Sequence, residues 1–274
     1  IAALAFGCDS QSGITDSSFD KSGGSTPGGN SGNEINQNNP VPDFFKYAVI
    51  GGEEVTLNGS PIWVKESSNP SLNANIHSNN SVILNGHTIT TEGFVTYRDK
   101  VTIDGDNIKI NPNSNPNNKP PHFKVSGVNI PSISVSSYKS IADIVYDTDK
   151  QLSGNINLGT QSDPFIIYVT GNLYLDNVTF SGYGIVLAEK EVDIVSDVRS
   201  SSLNPDHSKV LIIAGDKFIL NNSSTTLHAA VYAKNEININ AEQAYIDGSL
   251  ASLQKNTLNG NRIDLRFKLV YSGL

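Results

Sequence analysis

The sequence contains no methionine and a single cysteine, Cys8, among its 274 residues. One cysteine excludes an internal disulfide framework. Because there is no initiating methionine, we expect the natural chain to begin upstream of Ile1. Charged residues make up only 17% of the chain, and its net charge is −8. A basic patch supplies most of the affinity for nucleic acid, so we predict that nucleic acid is not a partner.

Residues 1–8 form an apolar run that ends at Cys8. The run is far shorter than the roughly 20 residues that span a bilayer, and it resembles the end of a signal peptide. Leu4 to Cys8 is similar to a bacterial lipobox, although Ala5 stands where leucine is usual. We predict a lipid on Cys8 as the only membrane link. Two alternatives are a strand donated to a neighbouring subunit and a functionless remnant of the signal.

Residues 9–41 are rich in glycine, serine and asparagine, most clearly between Ser22 and Gly32. Such a segment has too few apolar side chains to offset the entropy lost on folding. We therefore predict a flexible tether between the N-terminal segment and a folded domain over residues 42–274.

A local pattern recurs in residues 42–274: a short apolar strand, a polar turn, and an alternating strand that closes on Asn or Asp. Its last apolar residues are Leu57, Leu84 and Ile103 in one block and Leu175, Ile194, Leu220 and Ile239 in another. Most of their spacings are 19 residues, and the others are 26 or 27. A repeat of this length without a helix predicts an all-β, single-stranded parallel β-solenoid. A β-sandwich also has short alternating strands but gives no reason for a constant spacing.

Polar residues close the repeats. We expect them at the solenoid's corners, where Asn and Asp tolerate left-handed dihedral angles. They are Asn58, Asn85, Asp176, Asn221 and Asn240.

Residues 107–160 interrupt the repeat. They begin with a loop rich in proline and asparagine, and then place Ile141, Ile144 and Val145 at helical spacing within 137–146. We predict one short helix here, which covers a side or an end of the solenoid.

Several short segments resemble the β-solenoid domain of bacterial pilus-associated proteins of the PilX type. These are 45–50, the corner at 75–79, Pro131 with the segment 138–146, and 168–173. The resemblance covers residues 42–255 and implies a structural or adhesive protein on a pilus or the bacterial cell surface. The chain lacks the long N-terminal helix of pilins and has the lipobox-like Cys8 in its place.

Enzymatic motifs for phosphate binding, nucleophilic serine or zinc do not occur in the sequence. Some β-solenoids are polysaccharide lyases, and Asp193, Asp197 and Arg199 are the residues that this less favoured hypothesis would use. We predict a non-catalytic extracellular protein.

Metal ligands are sparse. Asp104 and Asp106 flank a glycine and are the strongest candidate Ca²⁺ ligands, with a simple β-turn as the alternative. No other cofactor is expected. We interpret His77 and His87 as exposed turn residues.

Tyrosines recur in successive repeats, and exposed aromatic side chains can stack on sugar rings. The alternative is that these are isolated tyrosines that cover the surface or fill corners. The candidate glycan contacts are Tyr168, Tyr174, Tyr183, Tyr232 and Tyr245. Two functions therefore stay open: a surface structural protein that self-associates into a filament or joins a pilus, and an adhesin that binds surface polysaccharide.

Overall fold

The computed structural model describes residues 43–66, 73–111, 122–201 and 207–270. Cys8 and the predicted tether lie outside these ranges. Nearly all regular structure is parallel β-sheet, and two short 3-10 helices span Asp43–Lys46 and Val135–Ser140. The prediction of an all-β parallel solenoid is confirmed.

Most strands are short, and they follow one another closely. The first block contains β1 (Val49–Gly51), β2 (Glu54–Gly59), β3 (Ile62–Lys65), β4 (Ile76–Ser78), β5 (Ser81–Asn85), β6 (Thr88–Thr91), β7 (Val95–Tyr97), β8 (Lys100–Asp104), β9 (Asn107–Ile110) and β10 (His122–Lys124). The second block contains β11 (Ile144–Tyr146), β12 (Lys150–Asn157), β13 (Phe165–Val169), β14 (Leu173–Ser181), β15 (Gly184–Ala188), β16 (Val192–Ile194), β17 (Val198–Ser200), β18 (His207–Ser208), β19 (Val210–Ala214), β20 (Lys217–Leu220), β21 (Ser224–Leu227), β22 (Ala230–Ala233), β23 (Glu236–Gly248), β24 (Leu250–Ser252), β25 (Lys255–Phe267) and β26 (Leu269–Val270).

Each rung has three strand segments, as in β1, β2 and β3, and the rungs stack into three faces. Face A is the ten-stranded sheet in the order β10-β7-β4-β1-β24-β22-β19-β15-β13-β11. Face B contains β8, β5, β2, β20, β16 and the first halves of β25, β23, β14 and β12. Face C contains β9, β6, β3, β21, β17 and the second halves of the same long strands.

The rungs do not stack in the order of the sequence. The first rung, at β1, pairs with β24 near the end of the chain, so the two blocks join in the middle of the solenoid. From this junction the chain winds rung by rung to β10 at one end of the solenoid. It then returns along the outside of face A to β11 at the other end, and winds from there back to β24.

The repeat markers lie side by side as their spacing predicts. Leu57 pairs with Leu84, and Leu84 with Ile103. In the second block Leu175, Ile194, Leu220 and Ile239 form one continuous column. These side chains point inward, where most are fully buried. The 19-residue period is therefore the length of one rung, and the longer spacings contain loops.

The corner asparagines work by a different mechanism from the one expected. Asn111 and Asn177 are the only non-glycine residues with positive φ in the described part of the chain. The side chain of Asn259 instead donates to Asn240 Oδ1 at 3.1 Å, and Asn240 donates to Asn221 Oδ1 at 3.2 Å. Glycines follow at the same corner because the rungs approach closely: a Cβ at Gly59 would lie 2.0 Å from the carbonyl oxygen of Gly260.

The segment 125–143 runs along the outside of face A and covers it. Between this segment and the sheet lies a second apolar core, which contains Ile50, Tyr168, Ile213, Tyr232, Ile130 and Val135. The predicted helix lies on a side of the solenoid, but it is a 3-10 helix at Val135–Ser140, and Ile144–Tyr146 is strand β11. Strands β9, β11 and β12 belong to rungs, so the described insertion is shorter than residues 107–160.

A buried polar clamp holds this covering segment at Val128. Asn79 accepts from Val128 N at 2.6 Å and donates to Val128 O at 2.7 Å. His77 Nε2 donates to the same Asn79 oxygen at 3.0 Å, and Nδ1 lies 2.8 Å from Thr96 Oγ1. His77 is fully buried, contrary to the expectation of an exposed turn, and burial lowers its pKa although the bond to Asn79 opposes this.

Within the described residues no helix is long and apolar enough to cross a membrane.

Candidate functional site

The middle of face C carries two aromatic side chains that point away from the core. Trp63 on β3 pairs with Asp264 on β25, and Asp264 pairs with Tyr245 on β23. Trp63 and Tyr245 are thus two rungs apart, about 10 Å at the usual strand spacing. Tyr245 is 37% exposed, and Trp63 is half-buried.

An arginine lies between the two rings. The guanidinium carbon of Arg262 is 5.6 Å from the Trp63 ring centroid and 5.4 Å from the Tyr245 ring centroid. Cation–π contacts of this kind hold a guanidinium in place while leaving its N–H edges available. Arg262 is exposed, and no carboxylate among the described residues lies within ion-pair distance of it. We call Trp63, Arg262 and Tyr245 the aromatic platform.

Charged side chains surround the platform. Lys65 Nζ lies 5.2 Å from the Trp63 ring centroid and donates to Asp264 Oδ2 at 2.6 Å. Arg266 and Lys268 both lie 3.9 Å from carboxylate oxygens of Asp247 on the neighbouring rung. These carboxylates have cationic partners, whereas the guanidinium of Arg262 faces solvent. The platform therefore offers apolar ring surface beside a cation with free donors.

The platform is assembled across the junction of the two blocks. Trp63 comes from the first block, and Arg262 and Tyr245 come from the second. Sequence reasoning identified Tyr245 but missed Trp63 and Arg262. The missing information is the pairing of β3 with β25, and no spacing within either block contains it.

The predicted row of tyrosines does not exist as such. Tyr168 and Tyr232 are fully buried under the covering segment, so they cannot stack on a sugar. The Tyr168 hydroxyl donates to Glu189, and the Tyr232 hydroxyl donates to Pro131 O at 2.9 Å. Burial, aided by Glu189, raises the pKa of Tyr168. Both tyrosines contribute to the second core because face A has apolar cover on its outer side.

The other candidate tyrosines lie on separate surfaces. Tyr174 is half-buried on face B beside Asp193, whereas Tyr245 is on face C. Tyr183 lies before β15, with Lys209 Nζ 5.3 Å from its ring centroid. Of the five predicted residues, only Tyr245 joins the platform.

The residues of the less favoured lyase hypothesis do not converge either. Asp193 projects from face B, and burial raises its pKa. Asp197 leads into β17 on face C, and its Oδ2 accepts from Arg199 at 2.6 Å. The carboxylates therefore lie on two different faces.

The two candidate calcium ligands are exposed at one end of the solenoid. Asp104 closes β8, and Asp106 lies 3.1 Å from His87 Nδ1. No group of three or more metal-binding side chains occurs within the described ranges.

A groove of about 610 Å³ lies between the first 3-10 helix and the covering segment. It is lined by Phe44, Lys46, Tyr47, Asn75, Gly127, Val128, Asn129 and Pro131. Lys46 is the single ionisable side chain of this lining other than Tyr47. The groove is a packing feature of the covering segment, and it gathers no set of acid and base groups.

Comparison with known proteins gives two structural likenesses. An ice-binding protein from the Antarctic ascomycete Antarctomyces psychrotrophicus matches 82% of this chain and 98% of its own, with 14% identity and a TM-score of 0.47. An ice-binding protein from an Antarctic biological consortium matches 81% of this chain and 88% of its own, with 15% identity and a TM-score of 0.42. No protein-family model matches the sequence, and the search of curated proteins finds no match. Likeness at this level says nothing about what this chain binds.

Proposed function

We propose that this chain is a non-catalytic adhesin of the bacterial cell surface, and that its aromatic platform binds an acidic polysaccharide. The observation that carries the proposal is the exposed guanidinium of Arg262 held between Trp63 and Tyr245. Aromatic rings stack on the apolar faces of sugar rings, and a guanidinium matches the geometry of a carboxylate. The distance between the two rings suits a short stretch of a sugar polymer.

The point at which the chain enters the solenoid supports display of face C. The described chain begins at Asp43, and its first 3-10 helix contacts β24 and β26 next to face A. A tether over residues 9–41, anchored by a lipid on Cys8, would reach the solenoid on that side. Faces B and C would then be free to meet a partner. Residence on a pilus is the form of this proposal that the PilX-type resemblance implies.

Electrophoresis of the full chain through gels that contain a polysaccharide tests the binding. We expect polygalacturonate to retard the protein and neutral dextran to leave it unretarded. Replacing Trp63 by alanine or Arg262 by glutamine should weaken retardation about tenfold, because each change removes a stacking surface or the cation. Lys109→Ala, an exposed cation two rungs away on the same face, is the matched control.

The outcomes separate recognition from general charge attraction. If Lys109→Ala and Arg262→Gln weaken retardation equally, any cation on face C is enough for binding. Unchanged retardation in Trp63→Ala, with a folded circular dichroism spectrum, would leave the platform a structural contact across the junction. Retardation by dextran and not by polygalacturonate would mean that the ligand is a neutral polysaccharide.

A further inference from the structure

The two ends of the solenoid differ in how their edge strands are protected. One end has β8, β9 and β10 as its last strands and is called the β8 end; among the described residues each of them pairs on one side only. The other exposes β11 and β12 and is called the β12 end. Edge strands carry unpaired backbone groups that can pair with another chain, so proteins usually disrupt or cover them.

The β12 end is disrupted. Its pairing with β14 shifts register between Ser153 and Gly154, and Gly154 has a φ of +75°. Lys150 takes an inward position of the rung and lies 4.6 Å from the Tyr146 ring centroid. The apolar side chains Leu152 and Ile156 are nevertheless only 5% and 7% exposed. A bulge and an inward charge discourage pairing with a further strand.

The β8 end has neither device. Strand β8 pairs with β5 in unbroken register from Lys100 to Asp104. Ile103 continues the column of Leu84 and Leu57, which are fully buried, but is itself 43% exposed. Val101, Ile108 and Ile110 are also partly exposed at this end. The terminal rung thus presents apolar side chains and a straight strand edge.

The sequence of β8 is complementary to itself in the antiparallel direction. Pairing two copies about Thr102 places Lys100 opposite Asp104 and Val101 opposite Ile103. Lys100 N bonds Asn80 O, so Lys100 and Thr102 face β5 and the backbone groups of Val101 and Ile103 face the free edge. Val101 and Ile103 would then exchange backbone hydrogen bonds across the pair. Their side chains would lie on the core side of both copies.

We propose that the β8 end is a homodimer interface, in which two copies pair β8 antiparallel about a two-fold axis. Such an isologous contact closes on itself and joins two solenoids into one longer body. This dimer differs from the filament that the sequence predicts, because a filament would also require pairing at the bulged β12 end. A second copy is favoured as the partner because both the charges and the apolar side chains match when β8 meets its own sequence.

Analytical ultracentrifugation of the full chain over a concentration series tests the interface. We expect a dimer of the 29.3 kDa chain that dissociates on dilution. Lys100→Asp places two carboxylates opposite each other, and Asp104→Lys does the same with two ammonium groups, so each should raise the dissociation constant about tenfold. The double variant, Lys100→Asp with Asp104→Lys, should restore dimerisation.

A backbone variant tests the strand pairing itself. Val101→Pro removes an N–H that faces the free edge, so it should abolish the dimer and leave the bonds to β5 intact. A chain that is monomeric at every concentration overturns the proposal, as does a double charge swap that stays monomeric. Filaments in the electron microscope would show that the β12 end also pairs. Dimerisation only after deletion of 112–121 would show that the chain covers its own edge, and it would likewise overturn the proposal.

Discussion

Face A and face B are built from strands that follow one another in each rung, but the two faces bury their outward side chains differently. On face A most side chains on both sides of the sheet are apolar, and the apolar part of the outer column runs through Ile50, Ala251, Tyr232, Ile213, Leu187 and Tyr168. On face B the outer columns are mostly polar, with Ile83 and Ile219 as exceptions, and one column alternates Glu54, Lys255, Glu236 and Lys217. The difference shows that outward side chains become core where other parts of the chain, here the covering segment and the first 3-10 helix, pack over the sheet.

We expect the largest difference in stability when isoleucine is replaced by alanine on face A in one variant and on face B of the same rung in another. Ile213→Ala on β19 removes a side chain buried between sheet and covering segment, and should cost about 2–5 kcal/mol of unfolding free energy. Ile219→Ala on β20 removes an outward, half-buried side chain of face B and should cost about 1 kcal/mol or less. Urea unfolding of both variants measures the difference. Equal losses would contradict the assignment of face A as a second core.

The clamp at Val128 should be the next most sensitive point. Asn79→Ala removes both bonds to the Val128 backbone and the acceptor of His77, which should cost about 1–3 kcal/mol. The loss should be local, so hydrogen exchange should accelerate in 125–130 before it does in face B. Asn259→Ala is the control, since it breaks an exposed amide contact. Exchange that accelerates equally on all faces would argue against a local clamp.

Acidification should loosen the same clamp by a smaller amount. Burial lowers the pKa of His77 below its ordinary value of 6.5, so the unfolded chain binds the proton more tightly than the folded chain. This stability is therefore present above about pH 6.5 and is lost as the pH falls toward the folded pKa.

Thermal unfolding of the wild type and His77→Gln at about pH 7.5 and about pH 5 measures this effect. The pKa of His228 is lowered too, first by burial, and it stays in both proteins. The fall in melting temperature should therefore be smaller in His77→Gln. An identical fall would assign the pH dependence to other groups.

The smallest change in stability is expected on face B. Lys255 Nζ lies 2.7 Å from Glu54 Oε1 and joins the two blocks across the junction on face B. Both side chains are partly exposed, so Lys255→Gln should cost about 0.5 kcal/mol or less. Urea unfolding at low and high salt checks it, and salt should reduce even this difference. A loss of unfolding free energy as large as that of Ile213→Ala would mean that face B also stabilises the junction of the two blocks.

Within each block, much of the fold follows from local sequence. The alternation around Leu57, Leu84 and Ile103 specifies which side chains point inward, because strand side chains alternate between faces. The constant spacing of these residues then specifies the register of neighbouring rungs. Tyr245 could be named as an outward aromatic for the same reason. Its neighbours in space could not be named.

What lay beyond sequence reasoning depends on contacts between distant parts of the chain. Tyr168 and Tyr232 look like outward residues of a strand, and they are buried because the covering segment and the first 3-10 helix pack over face A. Likewise His77 reads as a polar turn residue until Asn79 and Thr96 enclose it.

The rung, its inward residues and its polar corners are properties of the sequence, because they depend on side-chain alternation over a few residues. The stacking order of the two blocks belongs to the folded chain. Backbone hydrogen bonds between parallel strands are nearly independent of side chains, so β1 can extend β24 as well as a strand next to it in sequence. That contact places Trp63 beside Arg262 and leaves β8 at an end, and both proposals about this protein depend on it.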